Sequence, residues 1–529
     1  EFGIVVAGSV IISAFVSLTL TPMLSSKLLK TRHKQPWLYR VTEPFFQWLN
    51  SAYESSLAGF MQVRWLAWVL MAGFIGVIYA LFKYDAIPSE LAPMEDRRGL
   101  RVSLTLQEGA TFDFTDKYLQ EFAKVVNDEV KPNEKDAMIT ITAPGFSTNA
   151  TNTGFVRVVL SEPELRQRSQ MEISDAIQAK VKNISGAKSF VIQDPTIQTG
   201  QRGNNFPVSY VIQATSYEKL RSVIPELMKR VNESPMFQGT DVNLKFTKPE
   251  IRLEIDRDKA QNLGVSIQDI AQTLQLGLSG RRFGYFLMNG KQYQIIGQID
   301  RVDRNDMMDL KSLFVKSNRG ELIQLDNFVK LTEQSSPPQL FRFNRASAAT
   351  VTAGMTKGVT LGQALEEMDK IAKSVLDDTY TTALDGQSRE FKDSSSSLLF
   401  AFGLALVLIY LILAAQFESF IDPIIILLTV PLAVCGALLS LWDFSQTLNV
   451  FSQIGIITLV GLVTKNGILI VEFANQQKEA GLDKLAAVKA AAAARFRPIV
   501  MTSLCAILGI LPIALALGAG SESRVSMGI

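Results

Sequence analysis

A chain of 529 residues, 47% hydrophobic and 20% charged, is far longer than one hydrophobic core supports. Its 53 basic and 51 acidic side chains nearly cancel to +2, so the basic stripe that nucleic-acid binding requires is missing and no nucleic acid is expected as a partner. Cys435 and Cys505 lie inside apolar runs, and the single histidine, His33, sits in the basic run 27–34; this argues against a disulfide framework, a histidine-based catalytic site and a metal site.

The averages conceal a segregated chain, nearly charge-free over long runs at its ends and soluble in character in its middle. A helix crossing ~30 Å of hydrocarbon needs ~20 apolar residues. Six runs qualify, at 2–20, 65–82, 398–417, 423–442, 450–473 and 499–517. Buried helices of a large soluble protein are the alternative, and basic residues gathered mostly between the runs argue against it. The chain opens apolar, without a methionine or a signal-peptide n-region, and stops shortly after an apolar run, so it is expected to be part of a longer protein.

The loop after the first run carries Lys27, Lys30, Arg32, Lys34 and Arg40, and that between the fifth and sixth runs carries Lys478, Lys484, Lys489, Arg495 and Arg497. The positive-inside rule makes both cytoplasmic and puts the long middle on the external side. Between the first two runs, Phe45, Phe46, Trp48, Leu49 and Tyr53 alternate with polar residues, which suggests an amphipathic helix on the cytoplasmic membrane face. An ordinary loop helix fits the same pattern.

The middle alternates strand and helix patterns. Strands at 101–107, 137–142, 154–160 and 189–197, with helices at 112–130 and 171–184, give the ferredoxin-like order β-α-β-β-α-β. The order recurs as β-α-β at 207–214, 216–231 and 242–246, and again at 349–354, 360–375 and 381–384. Between these halves lies an insertion, about 248–344, with a helix at 266–276 and a hairpin turning at Asn289 and Gly290. The expected fold class is an α-helical membrane bundle plus a large external α+β domain, with two βαββαβ subdomains and an inserted α+β subdomain.

No Walker A, HExxH or paired-cysteine zinc pattern occurs, so no enzymatic activity, cofactor or metal is expected. The informative residue is Lys465, the one basic residue within 450–473. A lysine at that depth costs ~2.5–3.5 kcal/mol on insertion scales and calls for a partner. Glu472 is seven residues on, about 10 Å along a helix, too far for a direct pair. No other apolar run has an acid in its interior, so the counter-charge is expected outside this chain. A lysine that snorkels to the interface is the plain alternative. Arg495 and Thr502, seven apart, share a face at the start of the last run; the pattern fits a proton-linked network, and equally an interfacial anchor and a packing residue.

Residues 451–473, followed by Ala494-Arg-Phe-Arg-Pro-Ile-Val-Met-Thr-Ser503, resemble the tenth and eleventh transmembrane helices of resistance–nodulation–division (RND) efflux pumps, in the hydrophobe/amphiphile branch. Leu20-Thr-Pro-Met23, Ile87-Pro-Ser-Glu-Leu91, Gly109-Ala-Thr111, Asn152-Thr-Gly154 and Ala414-Ala-Gln-Phe-Glu-Ser419 match as well. The resemblance spans essentially the whole chain and implies the C-terminal half of a pump. It implies the sixth span at 1–26, a cytoplasmic-face helix at 33–62, the seventh span at 65–84 and the eighth to eleventh at 396–518. It further implies a first porter subdomain at 92–203, a second at 204–247 with 345–388, and a docking subdomain at 248–344. Such pumps are homotrimers of the bacterial inner membrane. They join a periplasmic adaptor (a membrane fusion protein) and an outer-membrane channel, and exchange protons for drugs, detergents and similar small amphiphiles.

By the same resemblance Lys465, Arg495 and Thr502 match the family's proton relay, whose aspartate pair lies in the fourth helix, absent here. The loop 143–154 matches a switch loop, with Phe146 on its key aromatic. Ile139, Pro144 and Arg157 stand where aromatics are common, which implies a less aromatic and more polar pocket; Phe190 and Ile192 fall on the outer pocket. Without the resemblance, Phe146 is a loop phenylalanine and Phe190 and Ile192 are core strand residues. Two other readings stand beside amphiphile efflux. A metal-cation exporter would need clustered methionines, and Met138, Met171, Met228 and Met288 look scattered. A non-transporting receptor that binds lipid or protein would have no use for a membrane lysine.

Overall fold

The computed structural model describes residues 2–28, 37–84, 86–145, 150–182, 184–197, 206–516 and 521–529. His33 and Phe146 lie outside these. Helices α1 (Phe2–Leu28) and α3 (Trp65–Lys83) are apolar around their whole circumference, and the protein buries no residue of α3. A helix without a polar stripe and with nothing covering it is satisfied in lipid. Between them α2 (Trp37–Gln62) is amphipathic.

The part outside the helical bundle begins with β1 (Gly99–Thr105), α4 (Phe112–Glu129), β2 (Lys135–Thr142), β3 (Thr153–Leu160), α5 (Gln170–Val181) and β4 (Lys188–Gln193). Thr111 caps α4 by accepting a bond from the Phe114 N–H, and Ser169 with Glu172 forms a capping box on α5. The strands pair antiparallel in the order β2-β3-β1-β4. Leu100, Val102 and Leu104 of β1 bury against Leu119, Phe122 and Val126 of α4 and Ile173 and Ile177 of α5. Each such side chain contributes about 1.5–3 kcal/mol. Alternation along the strand then sends Arg101, Ser103 and Thr105 to the face that the helices leave open.

A second sheet follows. It starts with β5 (Val208–Ala214), α6 (Tyr217–Glu233) and β6 (Phe237–Val242). The inserted unit comes next: β7 (Lys248–Ile255), α7 (Arg257–Asn262), α8 (Ile267–Leu274), β8 (Arg281–Met288), β9 (Lys291–Gly297), α9 (Met307–Lys311), β10 (Phe314–Lys316), β11 (Leu322–Gln324) and β12 (Val329–Ser336). The chain returns through β13 (Phe341–Phe343), β14 (Ala346–Met355), α10 (Leu361–Val375) and β15 (Thr381–Leu384). β5 lies between β14 and β15, and β13 and β6 share the other edge of β14 end to end. β13, inside the stretch 248–344, thus belongs to the second sheet. β6, the second strand of this β-α-β unit, also forms earlier than the pattern 242–246 suggests. Gly239, at φ +66°, carries β6 opposite a register shift in β14, a bulge that hides the strand's alternation. In the inserted unit β7 pairs with β12 over a small core that includes Ile270 and Phe328. The β8–β9 hairpin is a separate two-stranded sheet, turned by positive φ at Asn289 and Gly290.

The chain re-enters the helical part through α11 (Gly386–Phe417), then α12 (Asp422–Leu427), α13 (Val430–Asp443), α14 (Val450–Glu479), α15 (Lys484–Ala514) and α16 (Val525–Gly528). Six helices, with α12 and α13 counted together, are long and apolar enough to cross a membrane among the described residues. Two begin well before the apolar runs that mark them. Asp385 caps α11 at the Gly386 N–H, ahead of the run at 398, and Asp483 caps α15 ahead of the run at 499. Ile87, Leu438 and Leu441 form a small core where the segment after α3 meets α13. The end of α3, the start of α11, the end of α13 and the start of α14 all meet the α+β part. The end of α14 with Lys478 and the start of α15 with Lys484 therefore fall at the opposite end of the bundle.

Candidate functional site

Lys465 lies near the middle of α14, about 21–23 Å from either end at 1.5 Å per residue. Among the described residues it makes no ion pair and no side-chain hydrogen bond. Glu472 accepts instead from Gln476 Nε2 at 2.9 Å. α15 packs along α14 in the antiparallel sense. The Arg495 guanidinium stands 4.8 Å from the ring centroid of Phe473 on α14, and its Nε is buried without a hydrogen-bond acceptor among the described residues. Lys465 is eight residues from Phe473, and Thr502 is seven from Arg495. The register that joins Arg495 to Phe473 therefore brings Thr502 to within about one helical turn of the level of Lys465. The Thr502 hydroxyl donates to the Ile499 carbonyl at 3.0 Å, inside its own helix.

Two connections to these helices escaped the sequence reading. α2 packs along α15: Arg497 pairs with Glu43 at 3.1 Å and lies 4.8 Å from the Phe46 ring, while Tyr53 stacks on Phe496 at 4.2 Å. At the other end, residues 88–91 run beside 447–450, just ahead of α14. The Leu448 N–H donates to the Pro88 carbonyl at 2.8 Å, the Glu90 N–H to the Leu448 carbonyl at 3.2 Å, and the Val450 N–H to the Leu91 carbonyl at 3.3 Å. The Thr447 hydroxyl donates to the Glu90 carboxylate at 2.7 Å, and the Gly362 N–H donates to the Ser89 carbonyl at 3.1 Å. This strap ties the start of α14 to the linker that enters β1 and to the start of α10. Burial pushes the Glu90 carboxyl above its usual value, opposed by the Thr447 bond.

The open face of the first sheet gathers the remaining sequence candidates. Register aligns Ile139 of β2, Arg157 of β3, Arg101 of β1 and Ile192 of β4 in one row, with Ile141, Phe155, Ser103 and Phe190 in the next. Arg157 donates to Asp194 at 2.9 Å. Ile192 is only 7% exposed. Phe190 meets Phe206 edge-on at 5.5 Å and lies against Gly239 of β6, at the seam between the two sheets. A cleft of about 540 Å³ opens between the sheets, walled by Arg101, Ser103 and Phe155 on one side and by Val242, Asn243 and Thr352 on the other. Arg101, which the sequence reading passed over as a strand residue, lines this cleft; Ile139, Arg157, Phe190 and Ile192 share its sheet face without lining it. A larger cavity of about 890 Å³ sits where the helices join the α+β part. Phe82, Phe402, Leu438 and Ile456 form its apolar wall, with Arg389 and Lys392 among its polar residues.

Lipid-facing helices that carry at mid-depth a lysine with no ion pair among the described residues, with a large α+β part mounted on one end, define a multi-pass membrane protein of the RND transporter class. The chain belongs to the AcrB/AcrD/AcrF family, whose sequence model matches residues 1–529. It is 32% identical over 539 residues to an uncharacterized transporter of Haemophilus influenzae, covering 100% of this chain and 51% of that protein. It is 28% identical over 534 residues to the multidrug resistance protein MdtC of Salmonella typhi, again covering 100% of this chain and 51% of the relative. The chain therefore spans about half the length of these curated relatives.

Proposed function

We propose that this chain is about half of a proton-driven exporter of small amphiphiles in a bacterial inner membrane. In this reading the exporter works as a homotrimer with a periplasmic adaptor and an outer-membrane channel. The first sheet unit and the second are porter subdomains, the inserted unit is a docking subdomain, and the large domain is periplasmic. The observation that carries the reading is Lys465, held at mid-membrane with no ion pair among the described residues, beside a helix whose Arg495 has a buried Nε with no acceptor among them. Both cations ask for acceptors from the rest of the parent protein. A carboxylate supplied there holds Lys465 while ionised. Its protonation removes the counter-charge, and Lys465 reorients along with α14 and α15. Thr502, at about the same level, passes or accepts the proton. The strap at 88–91 and the continuous α11 convey the shift to the sheets, which open and close the cleft between them. Phe146 belongs to the loop that divides the pocket. The cavity at the membrane junction admits amphiphiles from the outer leaflet, its apolar wall matching their tails.

Lys465→Ala in the full-length protein tests this. Export is expected to fall to background while expression and assembly stay normal. Normal export by this variant would refute the relay assignment.

A further inference from the structure

An alternating row of charges joins the two sheets across their cleft. Lys188 of β4, in the first sheet, lies 3.8 Å from Asp241 of β6, in the second. Asp241 also holds Lys245, just past β6, at 3.0 Å. Lys245 in turn lies 3.8 Å from Glu108, just past β1 of the first sheet. The row Lys188–Asp241–Lys245–Glu108 therefore crosses the seam twice, once at each end. Asp241, Lys245 and Glu108 line the cleft, and their side chains are only 16%, 23% and 15% exposed.

The spacing sorts these links by strength. The link inside the second unit has hydrogen-bonding length, and both links across the seam are longer than a hydrogen bond. The cross-seam links thus rest on Coulomb attraction alone, which added salt screens. Separation of the sheets wets Lys188 and Glu108 and leaves Asp241 with Lys245, so no charge is stranded in a dry wall. On the same seam Phe190 lies against Gly239 and meets Phe206 edge-on, an apolar contact that screening does not weaken. Another pair between the two units, Lys357 with Asp175 at 3.7 Å, lies in open solvent, where such a pair contributes little.

We infer that Asp241 is the node of an ionic latch that keeps the cleft narrow, and that Lys188 and Glu108 must let go before cargo enters. This rests on the reading above that the sheets open and close, and it adds the contacts that resist opening.

The width of the cleft is read directly. Nitroxide labels are placed on cysteines at Gln107, beside Glu108, and at Arg342 of β13, beside the cleft residue Phe341; both positions are exposed and outside the row. Double electron–electron resonance then follows the full-length protein, with its native cysteines replaced, in vesicles. The wild type is expected to be mainly narrow at low ionic strength, and added salt should raise the wide population about threefold, the ratio carried by a partly exposed ion pair. Asp241→Asn should produce that rise at low ionic strength and should not widen further with salt. Glu108→Gln cuts one cross-seam link, keeps the shape of the site and should give a smaller rise. If the wild type shows both widths but neither variant shifts them, the latch is overturned and the opening of the cleft stands. A lower melting temperature for Asp241→Asn with no change in width makes Asp241 structural only, which also overturns it. A wild type of one fixed width at every ionic strength and under an imposed proton gradient overturns the opening reading and the latch together.

Discussion

Gly239→Ala probes the seam between the two sheets. Gly239 sits at φ +66°, where an alanine costs about 1–2 kcal/mol. A Cβ there would also come within 2.5 Å of Cδ1 and 2.7 Å of Cε1 of Phe190. That ring is also in edge contact with Phe206, so relief requires a shift of the seam itself. Overpacking of this kind costs about 1–3 kcal/mol, for a total of about 2–5 kcal/mol. Phe190→Ala removes the clash and leaves only the backbone cost. The two substitutions should therefore fail to add, with a coupling of about 1–3 kcal/mol. Thermal melting of the purified full-length protein reads the effect, at about 2–4 °C per kcal/mol for units of this size. Gly239→Ala should melt several degrees early, and the double variant should melt higher than the two single shifts predict together. Wild-type melting of Gly239→Ala, or strict additivity with Phe190→Ala, would refute the reasoning.

Two further outcomes are expected. A carboxyl whose pKa is raised on folding binds its proton more tightly in the folded state, so stability falls as pH rises from the ordinary 4.5 through the raised value. Glu90→Gln, which still accepts from Thr447, should flatten that fall, as followed by melting temperature against pH; an unchanged profile would refute the assignment. Arg497 and Glu43 form a partly exposed pair worth about 0.2–1 kcal/mol. Amide hydrogen exchange along α2 should quicken in Glu43→Ala and in Arg497→Ala, with little more in the double variant, whereas full additivity would show the two side chains to be independent.

What the sequence made legible was local. The apolar runs, the turn at Asn289 and Gly290, and a membrane-depth lysine each follow from neighbouring residues and elementary energetics. What it concealed falls into two kinds. The first turns of α11 are polar, with Arg389, Lys392 and Asp393, and those of α15 mix alanine with lysine, so hydropathy alone starts both helices too late. The other features depend on distant pairings. Glu43 and Arg497 are 454 positions apart, and the strap joins Glu90 to Thr447 across 357. Arg101 could be given a face from strand alternation, but only the packing of one sheet against another shows that this face borders a cleft.

The continuity of α11 has a mechanical corollary. Its 32 residues run without a break from the residue after its own cap, Asp385, to the far side of the bundle, about 48 Å at standard rise. No slack separates bilayer from sheet, so a tilt or piston stroke of the lower half must reappear at β15 with its amplitude nearly intact. The helix serves as a connecting rod, and its stiffness sets how little motion within the bundle is lost before it reaches the sheets.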